Sequence, residues 1–281
     1  MAIKLKTAIC QMRVTDDKID NLNHARELIH TAARSGAGLV VLPEIFSVPY
    51  QTEIMAANAE IFPGPSTSFL SAVARQEGII LVGGSIPERG QDGKIYNTCY
   101  VFDDQGELIG KQQKLHLFDI DIPGQISFRE SALLAAGNRL QIIKHKDLVF
   151  AVIICYDIRF PELARLAALE GAQVLVVPAA FNLTTGPAHW ELLMRSRAVD
   201  NQLFVIAASP ARNHAAKYQA WGHSLVADPW GTIISEAGIA EEIIYAELDF
   251  SLITKLRREM PLFLHRRTDI YDLHFKDRKE P

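Results

Sequence analysis

Cysteine is scarce, an excess of one charge is missing, and no apolar run is long enough to span a bilayer; each absence removes a class of function. Three cysteines, Cys10, Cys99 and Cys155, cannot all pair within one chain, so no disulfide framework is expected. The N-terminal region lacks the apolar stretch of a signal peptide or membrane span. A reducing cytoplasm and no membrane partner are therefore predicted. With 29 basic and 33 acidic residues the net charge is −4, which leaves no electrostatic footprint for nucleic acid or anionic lipid. Basic residues gather only near the end (Arg257, Arg258, Arg266, Arg267, Lys276, Arg278 and Lys279). Glu259, Asp269, Asp272, Asp277 and Glu280 interleave them, as in a solvated face. No Gly/Ser-rich linker divides the chain, so residues 1–281 are expected to form a single domain, and 48% hydrophobic content suffices for a large core.

What the sequence does contain is an approximate repeat. The segment Gly36-Ala37-Gly38-Leu39-Val40-Val41-Leu42-Pro43 is echoed by Gly171-Ala172-Gln173-Val174-Leu175-Val176-Val177-Pro178, each following a helix-like stretch and each closing a buried strand at proline. Further on, Ile80-Leu81-Val82-Gly83-Gly84-Ser85 is answered by Val205-Ile206-Ala207-Ala208-Ser209. A hairpin at 101–107 is answered by one at 226–232, in the same order. Each half then supplies a sheet with helices on one face and an apolar surface on the other. Stacking the two bare faces removes both from water, which predicts an α/β four-layer αββα sandwich of two mixed sheets with an internal pseudo-twofold repeat. Apolar spacing and flanking Gly or Pro predict helices over 21–35, 66–77, 162–170, 188–200 and 251–259.

Candidate chemistry begins at Cys155. The run Phe150-Ala151-Val152-Ile153-Ile154 reads as a buried strand, and Pro161 with Glu162 opens a helix at Leu163, so the thiol falls on a sharp strand-to-helix turn. Backbone N–H groups at the helix start and a nearby cation would favour thiolate there, although a free cysteine can equally be a small buried hydrophobe. Glu44 follows the strand ending at Pro43; taken alone it reads as a cap or surface acid. Lys114, in Lys114-Leu115-His116-Leu117-Phe118, taken alone reads as an exposed lysine. Together a carboxylate, an ammonium and a thiol are a sufficient set for acyl transfer. The histidines, among them His116, His189, His214 and His223, show no HxH or HExxH spacing, and no CxxC occurs, so no metal is expected and structural imidazoles are. Cys10 and Cys99 lie within strand patterns and read as core.

Leu42-Pro43-Glu44, Lys114-Leu115-His116-Leu117-Phe118-Asp119 and Cys155-Tyr156-Asp157-Ile158-Arg159-Phe160-Pro161-Glu162 resemble, in order and spacing, the Glu, Lys and Cys motifs of the nitrilase or carbon-nitrogen hydrolase superfamily, over about residues 5–271. The resemblance implies the αββα sandwich, no cofactor and a second glutamate near the lysine, a position matched by Glu130, which alone would read as a surface acid beside Arg129. The segments 116–124, 181–190 and 209–212 resemble the omega-amidase branch, which hydrolyses the terminal amide of 2-oxoglutaramate and 2-oxosuccinamate. Val152, Ile153 and Gln51 depart from the glycines that relatives often carry. The expected roles are Glu44 as proton carrier, Cys155 as nucleophile, and Lys114 with the Tyr156 N–H as oxyanion donors. Arg159, Phe181, Thr185 and Tyr50 are expected around a small-molecule amide substrate, and a homodimer is implied. Arg159 could instead pair structurally with Asp157 or Glu162. A rival enzyme reading is an amidase for deaminated glutathione or another carboxylate-bearing amide; a rival of another class is a catalytically silent protein that binds a metabolite or partner.

Overall fold

A computed structural model describes residues 4–276; Asp277, Arg278, Lys279 and Glu280 of the charged terminal cluster lie outside the described residues. The first half runs β1 (Lys4–Gln11), α1 (Lys18–Arg34), β2 (Leu39–Val41), α2 (Thr52–Ala57), α3 (Pro65–Glu77), β3 (Ile80–Val82), β4 (Ile86–Arg89), β5 (Ile95–Phe102) and β6 (Leu108–Gln113). A short ribbon follows, β7 (Asp119–Ile122) and β8 (Ile126–Arg129). The second half is β9 (Ile142–His145), β10 (Leu148–Val152), α4 (Pro161–Leu169), β11 (Val174–Pro178), α5 (Gly186–Asn201), β12 (Phe204–Ala208), β13 (Leu225–Ala227) and β14 (Ile233–Glu236). The chain then returns through β15 (Glu242–Asp249) to the first sheet and continues into α6 (Ser251–Glu259).

Two sheets result, ordered β15-β1-β2-β3-β5-β4, with β6 on β5, and β14-β13-β12-β11-β10-β9. The repeat read from the sequence is present in the pairing. Strands β1, β2 and β3 are parallel neighbours followed by the antiparallel β5 and β6, and β10, β11 and β12 are parallel neighbours followed by the antiparallel β13 and β14.

Side-chain alternation explains the layering. Ile9, Leu39, Val41 and Val82 point from the first sheet into one cluster with β10, β11 and β12, while their neighbours Ala8, Cys10, Val40, Leu42 and Leu81 pack under α1 and α3 with Ile29, Ala32, Leu70 and Val73. Helices α4 and α5 cover the second sheet through Ala164, Ala167, Trp190, Met194 and Ala198. The architecture is the four-layer αββα sandwich. Cys10 and Cys99 are core residues, on the helix side and between the sheets respectively. No described helix is long and apolar enough to cross a membrane.

Differences from the expected helices are local. Helix α1 starts three residues early because the Asp17 carboxylate accepts from the Ile19 and Asp20 N–H groups and satisfies the first turn. The helix expected to open at Leu163 begins instead at Pro161, after a 3-10 turn over Cys155–Arg159 that the apolar pattern did not announce. The short α2 and the β7–β8 ribbon lack strong periodicity and went unread.

Candidate active site

Each candidate side chain stands just beyond the end of a strand. Glu44 follows β2, Lys114 follows β6, Cys155 follows β10, and the Ala180 N–H follows β11. The turns that carry them are tightly built. Ile45 and Cys155 have positive φ, 51° and 48°, a region that costs a non-glycine residue roughly 1–3 kcal/mol and that the surrounding packing must impose. At Gly84 the backbone passes so close to Pro43 that a Cβ would sit 2.0 Å from the Pro43 carbonyl oxygen, so glycine alone lets the strand bearing Glu44 approach.

These turns converge. Lys114 Nζ donates to Glu44 Oε1 at 2.9 Å, lies 2.9 Å from Glu130 Oε2, and reaches the Tyr50 hydroxyl at 3.1 Å; none of the three charged side chains has exposed surface. Asn97 Nδ2 donates to Glu44 Oε1 at 2.8 Å, the Ala180 N–H to Glu44 Oε2 at 2.8 Å, and the Phe118 N–H to Glu130 Oε2 at 2.7 Å. The buried Cys155 thiol lies close enough to Glu44 and to the Ala180 N–H for both to act on its proton affinity. The four side chains expected to act together, Glu44, Lys114, Cys155 and Glu130, are thus in one buried cluster.

Burial raises the Glu44 carboxyl above its ordinary range, against the pull of Lys114 and with the push of Glu130. Burial also works against the Lys114 ammonium, but the Glu130 and Glu44 carboxylates outweigh it and hold the amine well above its usual value. For Cys155 burial is again the largest influence, Glu44 adds to it, and Lys114 only partly opposes them, so the thiol sits well above the ordinary cysteine range. The expectation of a thiolate is therefore corrected. Burial and the neighbouring Glu44 both favour the protonated sulfur, and Lys114 and the Ala180 N–H only partly oppose them.

Beneath the turn lies a residue that sequence reasoning did not assign. The buried Asp157 carboxylate accepts from the Ile154 N–H at 3.0 Å, the Leu115 N–H at 3.3 Å, the His116 N–H at 2.8 Å and the His116 Nδ1–H at 2.8 Å. It ties the segment after Lys114 to the turn of Cys155. Asn97 and Tyr218 were also missed; Tyr218 donates to the Ala180 carbonyl at 2.6 Å and lies 4.8 Å, ring to ring, from Tyr50. An asparagine amid the apolar residues of β5 was a readable signal, whereas Tyr218, in a loop, carried none.

The residues expected around the substrate divide. A cavity of about 400 Å³ opens onto Glu44 and Tyr50 and is lined by Ala180, Tyr218, Asn213 and Lys217. Cys155, Arg159, Phe181 and Thr185 are not on its lining. The Tyr50 hydroxyl, expected at a substrate edge, is engaged by Lys114 and the two glutamates, and the residue also lines the cavity. The Thr185 hydroxyl donates to Asn182 Oδ1 at 3.3 Å. Arg159 stacks over the rings of Phe181 and Tyr156 and does not pair with Asp157 or Glu162. Outside this site, Asp103, Asp104 and His145 stand close enough to share a cation, but Lys146 already pairs with Asp104 at 2.7 Å.

Over residues 6–258 the chain matches the carbon-nitrogen hydrolase family. Omega-amidase NIT2 of Danio rerio is 50% identical over 271 residues, 96% of this chain and 98% of the relative. Omega-amidase NIT2 of Homo sapiens is 48% identical over the same shares. Among solved structures, Saccharomyces cerevisiae Nit3, a member of branch 10 of the nitrilase superfamily, superposes with a TM-score of 0.87 at 46% identity, covering 94% of this chain and 97% of that one. The C. elegans NitFhit protein gives a TM-score of 0.89 at 33% identity, covering 100% of this chain and 69% of that one.

Proposed function

The chain belongs to the carbon-nitrogen hydrolase family, and from that premise we propose that it is an omega-amidase, releasing ammonia from the terminal amide of 2-oxo dicarboxylic acid monoamides such as 2-oxoglutaramate. The observation that carries the reading is the buried cluster in which Lys114 reaches both Glu44 and Glu130 while Glu44 meets the Cys155 thiol. The near-full-length relatives named omega-amidase support the substrate class.

In this reading Cys155 Sγ attacks the amide carbon as its proton passes to Glu44, whose proton affinity is raised by burial, so that it can accept the proton and return it. Lys114 and the Tyr156 N–H stabilise the oxyanion that forms. Collapse of the tetrahedral intermediate breaks the C–N bond, and the proton held by Glu44 leaves with the amine as ammonia. Water then adds to the thioester, giving one proton to Glu44, and the departing sulfur takes that proton back. Glu130 keeps Lys114 oriented through its 2.9 Å contact. Arg159, a half-buried guanidinium stacked on Phe181 and Tyr156, is the group we assign to the carboxylate at the far end of the substrate. Three unpaired cysteines suit a reducing cytoplasm. Exposed apolar side chains on α5 and beyond α6, Leu192 at 63%, Leu264 at 84% and Ile270 at 69%, support a homodimer, to be checked by sedimentation for twice the mass of one chain.

Ammonia release from 2-oxoglutaramate, deaminated glutathione and glutamine, measured in parallel on the wild type and on Cys155→Ala, tests the function. The expected result is turnover fastest on 2-oxoglutaramate and loss of turnover in the variant. Preference for deaminated glutathione would move the substrate assignment, and turnover by a folded Cys155→Ala protein would end the mechanism.

A further inference from the structure

The Arg159 guanidinium has two kinds of neighbour. Its Cζ stands 5.0 Å from the centre of the Phe181 ring and 5.6 Å from that of Tyr156, which restrains the plane of the group but leaves it free to turn and slide within that plane. The second restraint is polar. Arg159 Nη1 lies 3.2 Å from Nδ1 of His189. A guanidinium offers donors only, so Nδ1 must be the accepting nitrogen and the ring proton must sit on Nε2.

His189 is itself held firmly. It occupies the first turn of α5, where its N–H donates to the Thr185 carbonyl at 2.9 Å, and the loop before it is pinned by Asn182 Oδ1, which accepts from the Thr184 and Thr185 N–H groups at 2.9 Å each. The next residue, Trp190, is buried against the Phe181 ring at 5.2 Å and donates from Nε1 to the His223 carbonyl at 2.6 Å. The imidazole thus comes from a rigid element. The nearest carboxylate in sequence, Asp157, is occupied by four donors from Ile154, Leu115 and His116, and no described carboxylate forms an ion pair with Arg159. The guanidinium therefore keeps donors for an incoming anion.

We infer that His189 is a positioning residue whose Nδ1 fixes the Arg159 guanidinium in the orientation that receives the substrate carboxylate, and that it thereby sets the preference for anionic over neutral amides. The inference rests on the assignment of Arg159 in the preceding subsection. A long arginine that is already oriented loses less conformational freedom on binding, so the gain appears in substrate affinity and not in the chemical step.

The test is steady-state kinetics on 2-oxoglutaramate and on pentanamide, a neutral amide of equal chain length, for wild type, Arg159→Ala, His189→Ala and His189→Asn. His189→Ala should raise KM for 2-oxoglutaramate about tenfold with kcat within about twofold, while kcat/KM for pentanamide stays near wild type. His189→Asn should recover most of the loss, because Asn Oδ1 can accept where Nδ1 did, and its melting temperature guards against misfolding. Equal effects of His189→Ala on both amides, no effect on either, or failure of His189→Asn to recover would overturn the inference. Selectivity lost in Arg159→Ala but kept in His189→Ala leaves the arginine assignment standing and removes the histidine. Equal effects of Arg159→Ala on both amides remove the arginine assignment and this inference with it.

Discussion

A lysine with no exposed surface would ordinarily shed its proton, and Lys114 keeps it because Glu44 and Glu130 lie within 2.9 Å on either side. The same arrangement makes Lys114 the weak point for both stability and rate. Removing it strands two buried carboxylates, which typically costs about 3–5 kcal/mol of stability, and deletes an oxyanion donor, which typically costs about 3 kcal/mol of barrier. Lys114→Ala should therefore lower kcat/KM by at least about 100-fold and lower the melting temperature. The stability deficit should shrink from pH 8 to pH 5, because the stranded carboxyls gain protons more readily than in the unfolded chain and so favour the folded state as pH falls. Parallel calorimetric scans of wild type and variant check this; a deficit independent of pH would mean that the charges are not stranded.

At the scale of elements, the strand-to-helix connection after β10 is where local pattern and chemistry meet. The apolar run to Ile154 and the proline at 161 made a turn legible, since alternation ends where the sheet ends and proline suits the first helical turn. The 3-10 turn between them was not legible, because it is held from a distance by Asp157, whose partners Leu115 and His116 lie some forty residues earlier. Asp157→Asn should weaken that tie, since an amide offers two N–H groups of its own to the donors that the carboxylate satisfied. We expect a loss of about 2–3 kcal/mol in unfolding free energy and a fall in kcat larger than any change in KM. Denaturant titration and steady-state kinetics check both, and full activity in the variant would show that the nucleophile turn keeps its shape without this tie.

At the scale of the whole molecule, the repeat brings corresponding strand ends to face each other. Strands β2 and β11 are counterparts, with Pro43 just past the end of one and Pro178 ending the other, and just beyond them the Ala180 N–H donates to Glu44 Oε2. The sandwich also buries every cysteine, which links stability to pH. Burial raises Cys10 to about 12 and pushes Cys99 and Cys155 well above the usual thiol value of 9.0. Above pH 9 the unfolded chain loses thiol protons that the folded chain retains, so unfolding free energy must fall with rising pH, by up to about 1.4 kcal/mol per thiol per pH unit. Urea midpoints at pH 8 and pH 10 should show the decline, and Cys10→Ala with Cys99→Ala should flatten most of it. A slope unchanged in that double variant would place its origin elsewhere.

The main helices, the repeat and the buried faces were determined by the sequence alone, because each depends on residues close together along the chain and on periods of two or 3.6, whereas Glu44, Lys114 and Cys155 were picked out together by the resemblance of their motifs to a family. Only the tertiary structure decided that Cys155 rests as a thiol, that the Tyr50 hydroxyl joins Lys114, and that Asp157, Asn97 and Tyr218 belong to the site. The reason is physical: proton affinities and hydrogen-bond partners are set by water exclusion and by charges brought within a few ångströms from distant segments, and neither has a local signature.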